Sequence, residues 1–139
     1  MNDIRFVWVA AVLVLFAQTG TAQASCAPGA ARIQMKGPEA TSIKVLLDLV
    51  PKEISVSSPF AVRVTTCAEG ASPIKNLTID ATMPRHRHGM NYLPVLKKTG
   101  SGSYTASGML FHMPGLWRIE VAVSAGGKRQ RFFHEIEVE

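Results

Sequence analysis

From residue 43 onward, apolar side chains recur at every second position over short stretches. Phe60, Val62 and Val64 alternate with Ala61, Arg63 and Thr65. Leu77, Ile79 and Ala81 alternate with Thr78, Asp80 and Thr82. Trp117, Ile119, Val121 and Val123 alternate with Arg118, Glu120, Ala122 and Ser124. A period of two puts one set on a buried sheet face and the other toward solvent. Further strands are expected at 43–49, at 92–96, at 104–111 and at 131–138, where Phe132, His134, Ile136 and Val138 share a face. Pro51 interrupts the first of these, leaving 54–56 as an edge continuation. Turns are expected at 69–73, 97–102 and 114–115, and Ala125-Gly126-Gly127 reads as a hairpin. No helical period and no internal repeat is visible in this part of the chain. About seven short strands divided by Gly, Pro and Ser predict an all-β fold, an immunoglobulin-like antiparallel β-sandwich. Residues 25–41, rich in Ala, Gly and Pro, are expected to be an irregular lead-in to a domain at 42–139.

The N-terminus breaks this pattern. Residues 6–17 are almost continuously apolar, Arg5 precedes them, and Ala22-Gln23-Ala24 has the small-x-small form of a signal-peptidase site. This predicts a secretory signal peptide at 1–24, cleaved after Ala24. The run falls short of the ~20 apolar residues of a spanning helix, so no integral membrane span is expected after cleavage. A periplasmic or secreted location follows, and there the two cysteines, Cys26 and Cys67, are expected to form one intramolecular disulfide. Lipidation of Cys26 is a rival reading, weakened by Gln23 where a lipobox usually has an aliphatic residue. Free or metal-binding thiols are another. The net charge of +5 changes little, because the basic residues are scattered apart from Arg85/Arg87 and Lys128-Arg129-Arg131. No aromatic-and-basic pattern suited to nucleic acid accompanies them.

Two clusters carry the candidate chemistry. Met83-Pro84-Arg85-His86-Arg87-His88-Gly89-Met90 follows one strand, and His112-Met113 follows another. Imidazole is a versatile metal ligand, and thioether sulfur is soft and favours Cu(I). Met83, His86, His88, Met90, His112 and Met113 are therefore candidate metal ligands, with copper, as Cu(I), the expected ion. In an extended loop His86 and His88 project to one side and Arg85 and Arg87 to the other. Sandwich loops gather at the two ends of the body, so the clusters are expected to meet at one end. The six donors exceed the ~two to four that Cu(I) takes, so some must pack or support. Met83 and Met113 have core packing as an alternative, and His112 a backbone hydrogen bond. The Arg-His-Arg-His run has anion binding without metal as its alternative. His134, between Phe132 and Ile136, reads as a core or edge histidine outside the site.

The pattern Met83-Pro84-x-His86-x-His88-Gly89-Met90, followed by Gly108-x-x-Phe111-His112-Met113-Pro114-Gly115-x-Trp117, resembles the YtkA-like and FixH-like periplasmic domains. These are small immunoglobulin-like β-sandwiches, related in style to the CopC-type copper carriers. The resemblance covers residues 43–138. It implies a role near copper supply or respiratory-oxidase assembly. Met83, His86, His88 and Met90 match its first element, and His112 and Met113 its second. The chain departs from membrane-anchored FixH-like members in having a cleavable apolar segment, which favours a diffusible carrier. It also lacks the N-terminal histidine of a CopC-type Cu(II) site, since cleavage exposes Ser25.

No nucleophile and base stand in an enzyme-like arrangement, and no serine sits in a Gly-x-Ser-x-Gly elbow. Catalytic zinc usually adds a carboxylate or a third histidine and keeps an open water position, and the methionines argue against it; blue copper asks for a cysteine thiolate, which neither cluster holds. The expected function is therefore not enzymatic. It is a copper-binding protein that holds Cu(I) and delivers it to a copper-accepting or redox partner. A different class of reading is an interaction sandwich without metal, serving a periplasmic redox or oxidase-assembly complex through Arg85, Arg87 and Tyr92. Zinc or Cu(II) storage through the histidines is a third.

Overall fold

The computed structural model describes Cys26, residues 32–68, Gly70 and residues 72–139. The signal peptide expected at 1–24 lies outside the described residues. Among those described, nine strands occur: β1 (Ile33–Gln34), β2 (Ile43–Val50), β3 (Phe60–Ala68), β4 (Ile74–Met83), β5 (His88–Gly89), β6 (Val95–Gly100), β7 (Ser103–Met109), β8 (Gly115–Ala125) and β9 (Lys128–Val138). They form two antiparallel sheets, ordered β1-β2-β3-β7-β6 and β5-β4-β8-β9. With the two-residue strands β1 and β5 set aside, seven remain. Their orders, β2-β3-β7-β6 and β4-β8-β9, reproduce the ABED and CFG sheets of a constant-type immunoglobulin sandwich.

The alternation along the chain builds the core directly. Phe60, Val62 and Val64 from β3 pack in one buried cluster with Leu77, Ile79, Ala81 and Met83 from β4, and with Trp117, Ile119, Val121 and Val123 from β8. Each large apolar side chain so buried contributes about 1.5–3 kcal/mol. The β8–β9 hairpin turns at Gly126 and Gly127, whose φ values of 57° and 76° suit a two-residue turn of the kind favoured between twisted strands.

Four local expectations are corrected. The segment expected to be irregular through residue 41 joins the sandwich: β1 pairs with β2, and Met35 enters the core. Lys36 then exchanges backbone hydrogen bonds of 2.9 and 2.8 Å with Phe133 on β9. Ile33 and Met35 alternate with Gln34 and Lys36, a short period that the surrounding Gly and Pro conceal. Residues 54–56 form no strand, although Ile54 and Val56 still pack on the core. The strand expected at 92–96 begins at Val95 and runs through Gly100, across most of the turn expected at 97–102. Lys97 and Lys98 read as turn residues because they lie on an exposed sheet edge, where lysine discourages pairing with other chains. The turn itself narrows to Ser101 and Gly102, where Gly102 has φ 68° and a Cβ would stand 2.6 Å from the Thr66 carbonyl oxygen. Residues 83–90, expected to be an extended loop, instead fold back as a hairpin whose return strand β5 pairs with β4.

Cys26 and Cys67 are joined by a disulfide with Cα atoms 5.8 Å apart, closing a sequence separation of 41 residues. Cys67 is the partner on β3, so the bond ties the N-terminal segment to the first sheet. Cys67→Ser is expected to cost about 2–4 kcal/mol through the freed unfolded chain. Urea unfolding of the variant, and of the wild type with and without reductant, checks this. Unchanged midpoints would show that the bond constrains little.

Candidate metal site

The inward face of β4 continues to its last residue, Met83, which is buried under the end of the sandwich. The chain then turns at once. The amides of His86 and Arg87 both donate to the Met83 carbonyl, at 3.1 and 3.0 Å, and Arg87 takes a left-handed φ of 54°. It returns as β5, with His88 opposite Met83 and Gly89 opposite Thr82. The expected extended loop is thus a tight hairpin. Once Arg87 turns left-handed, simple alternation no longer says where His86 and His88 point. Arg85, His86 and Arg87 occupy its exposed tip, while His88 is half-buried.

The second segment is held down by aromatic packing. Beyond β7, Phe111 is fully buried and stacks on Trp117, with ring centres 4.5 Å apart and planes 14° apart. Phe60 packs on Phe111 as well, with ring centres 4.8 Å apart and planes tilted by 59°. The Trp117 indole Nε1–H donates to the Met113 carbonyl at 3.0 Å, which anchors the turn carrying His112 and Met113. At Gly115 the backbone has φ 120°, and a Cβ there would stand 3.1 Å from the Met83 methyl carbon. Glycine therefore lets β8 begin directly over Met83.

These two anchorings bring the histidines together. The rings of His88 and His112 lie 5.3 Å apart, centre to centre, and those of His86 and His88 lie 6.0 Å apart. Both His88 and His112 meet Trp117 edge-on, at 6.0 and 5.4 Å. The three imidazoles form a row with His88 in the middle, and Trp117 underlies its inner two. His88 Nδ1 lies 3.2 Å from the Gly89 carbonyl oxygen, which can only accept, so Nδ1 donates this bond and in the neutral ring the lone pair falls on Nε2. His112 Nδ1 is buried and has no hydrogen-bond partner, so the backbone bond considered for His112 does not form at that atom. An orphaned buried nitrogen costs about 1–3 kcal/mol, and such atoms call for an explanation.

The methionines divide. Met83 is a core residue beneath the end of the hairpin, Met90 is half-buried against the core, and Met113 is exposed. Asp80, the nearest acidic residue in sequence, turns back to accept a hydrogen bond from the Ala81 amide at 2.7 Å. His134 pairs across the sheet with Ile119, where burial first and the Lys36 charge second hold its pKa below the ordinary histidine value. It stands outside the row.

Two features of the site escape a reading by residue type. Trp117 reads as one more core position of its strand, although it follows His112 closely enough for its indole to reach back to that turn. Glu137, at the end of β9, lines a small cleft with Arg85, His86, Gly115 and Leu116, and nothing in its local sequence marks it. No protein-family model, curated protein or solved structure matches this chain. The chemistry of the row therefore carries the functional argument.

Proposed function

We propose that this domain holds Cu(I) as cargo between His88 and His112, with methionine sulfur as a further donor, and passes it to an acceptor protein. The observation that supports this most is the buried, unpartnered Nδ1 of His112 beside an imidazole whose Nε2 is free. An imidazole bound at ~2 Å puts its ring centre ~3 Å from the ion, so two rings on one ion stand ~5–6 Å apart. The 5.3 Å spacing of His88 and His112 fits that range. A backbone carbonyl fixing the tautomer of a ligating histidine is the usual supporting arrangement around a metal. Among the described residues, no group of three or more His, Cys, Asp or Glu side chains is arranged to hold a metal. A structural zinc ion would need four such donors, whereas Cu(I) accepts two imidazoles and a thioether.

The disulfide suits an oxidising compartment, in keeping with a secreted or periplasmic carrier. Among the described residues no helix is long and apolar enough to cross a membrane. The resemblance to YtkA-like and FixH-like domains points the same way, toward copper supply or oxidase assembly rather than catalysis.

A second reading has its own support. The exposed large apolar side chains Tyr92, Leu93, Val95 and Met113 follow His88 or His112 in the chain and offer apolar surface to a protein partner. Anaerobic titration with Cu(I) against a competing chelator, with Zn(II) and Cu(II) in parallel, separates the two. Tight one-to-one Cu(I) binding, lost in His88→Ala/His112→Ala, is the expected result. Absence of competitive binding would leave docking as the function, and retention in the double variant would show that the ion sits elsewhere.

A further inference from the structure

The three imidazoles differ in depth as well as position. His86 is exposed at the hairpin tip, His88 is half-buried, and His112 has a nitrogen sealed from solvent. Both adjacent spacings, 6.0 and 5.3 Å, lie in the ~5–6 Å range that lets two rings share one ion. His88 belongs to both pairs. Its Nδ1 is committed to the Gly89 carbonyl, so it has one lone pair to give and serves one ion at a time. His86 also lines the cleft formed with Arg85, Gly115, Leu116 and Glu137, which opens this side of the row to solvent.

We propose that the ion occupies two positions in succession, an outer one between His86 and His88 and an inner one between His88 and His112, with His88 as the shared ligand. The inference rests on the copper-binding reading and adds a direction of travel to it. An ion leaving the inner position exchanges His112 for His86 without losing His88. His88 therefore stays on the ion throughout the exchange, its ring swinging from the inner partner to the outer one. No electron moves in this step; one nitrogen donor replaces another on Cu(I). Affinity is set mainly by the inner pair, and exchange rate by the outer histidine. Binding stays at one ion per chain, because the two positions share His88.

The test loads the mature protein with one equivalent of Cu(I) under anaerobic conditions and follows transfer to excess bathocuproine disulfonate by stopped-flow absorbance. Dissociation constants are measured in parallel by competition. His86→Ala is expected to keep the wild-type Kd within about threefold while transfer slows by about tenfold or more. His112→Ala is expected to weaken binding strongly while exchange stays fast. Circular dichroism checks that each variant folds, and the exposure of His86 makes its variant the safer probe. Transfer from His86→Ala at the wild-type rate would overturn the two-position path and leave the copper-binding reading standing. A loss of affinity in His86→Ala equal to that in His112→Ala would replace it with a single three-imidazole site. A wild-type protein that takes up no Cu(I) would overturn both readings.

Discussion

Trp117→Ala is expected to lower the unfolding free energy by about 3–5 kcal/mol, the range for removing a large aromatic from a packed core. Trp117 is fully buried, stacks on Phe111 at 4.5 Å, and sits in the cluster shared by both sheets. The loss is a large share of the roughly 5–15 kcal/mol that holds a domain together, so the variant should be partly unfolded at physiological temperature. Its second effect is on the site. The indole supplies the edge-on contacts to His88 and His112 and the hydrogen bond to the Met113 carbonyl. Trp117→Phe separates the two roles. It keeps a ring against Phe111 but leaves the Met113 carbonyl without its donor, so the domain should fold and bind Cu(I) more weakly than wild type. Urea unfolding and Cu(I) competition on both variants check this. A cost below about 1 kcal/mol for Trp117→Ala would contradict the packing described.

His112→Leu is expected to move stability and binding in opposite directions. A leucine of similar bulk removes the orphaned Nδ1 and its desolvation cost of about 1–3 kcal/mol, so the metal-free domain should be as stable as wild type or more stable. The same change removes one of the two imidazoles of the proposed inner position. Loss of an outer partner of a metal ligand already costs about 10–100-fold in affinity, so loss of the ligand itself should cost at least about 100-fold. Retention of a polar group that weakens the fold and serves a ligand is the mark of a functional site. If His112→Leu instead destabilised the metal-free protein, the imidazole would be a structural residue with a partner. If it kept Cu(I) affinity, the ion would sit elsewhere. Thermal melts in the presence of chelator and the competition assay read the two quantities separately.

The site was legible in part, for a chemical reason. Methionine and histidine at the ends of two strands have no role that a β-core demands, so their concentration at 83–90 and 112–113 stood out by residue type alone. Their division of labour was hidden. Met83 continues the inward alternation of Leu77, Ile79 and Ala81, so its burial follows from the register of β4. The left-handed turn at Arg87 depends on both the His86 and Arg87 amides reaching one carbonyl, which no spacing rule announces. The exposure of Met113, against the burial of Met83, follows from the way the Trp117 indole pins the turn.

By itself the sequence determined the fold class, the main strands of the core, the Gly126-Gly127 turn and the residue types of the candidate site. Each of these depends on local spacing: a period of two, a pair of glycines, donors adjacent in the chain. Only the tertiary structure decided the strand order, the docking of Lys36 against Phe133 on the remote strand β9, the length of the edge strand β6, and the row His86, His88, His112 over Trp117. The row depends on β4 lying beside β8, with Thr82 opposite Arg118, so that the hairpin after one strand meets the turn before the other. Pairing between distant segments is a sum of many weak contacts across the core, and no stretch of the chain read alone contains that sum.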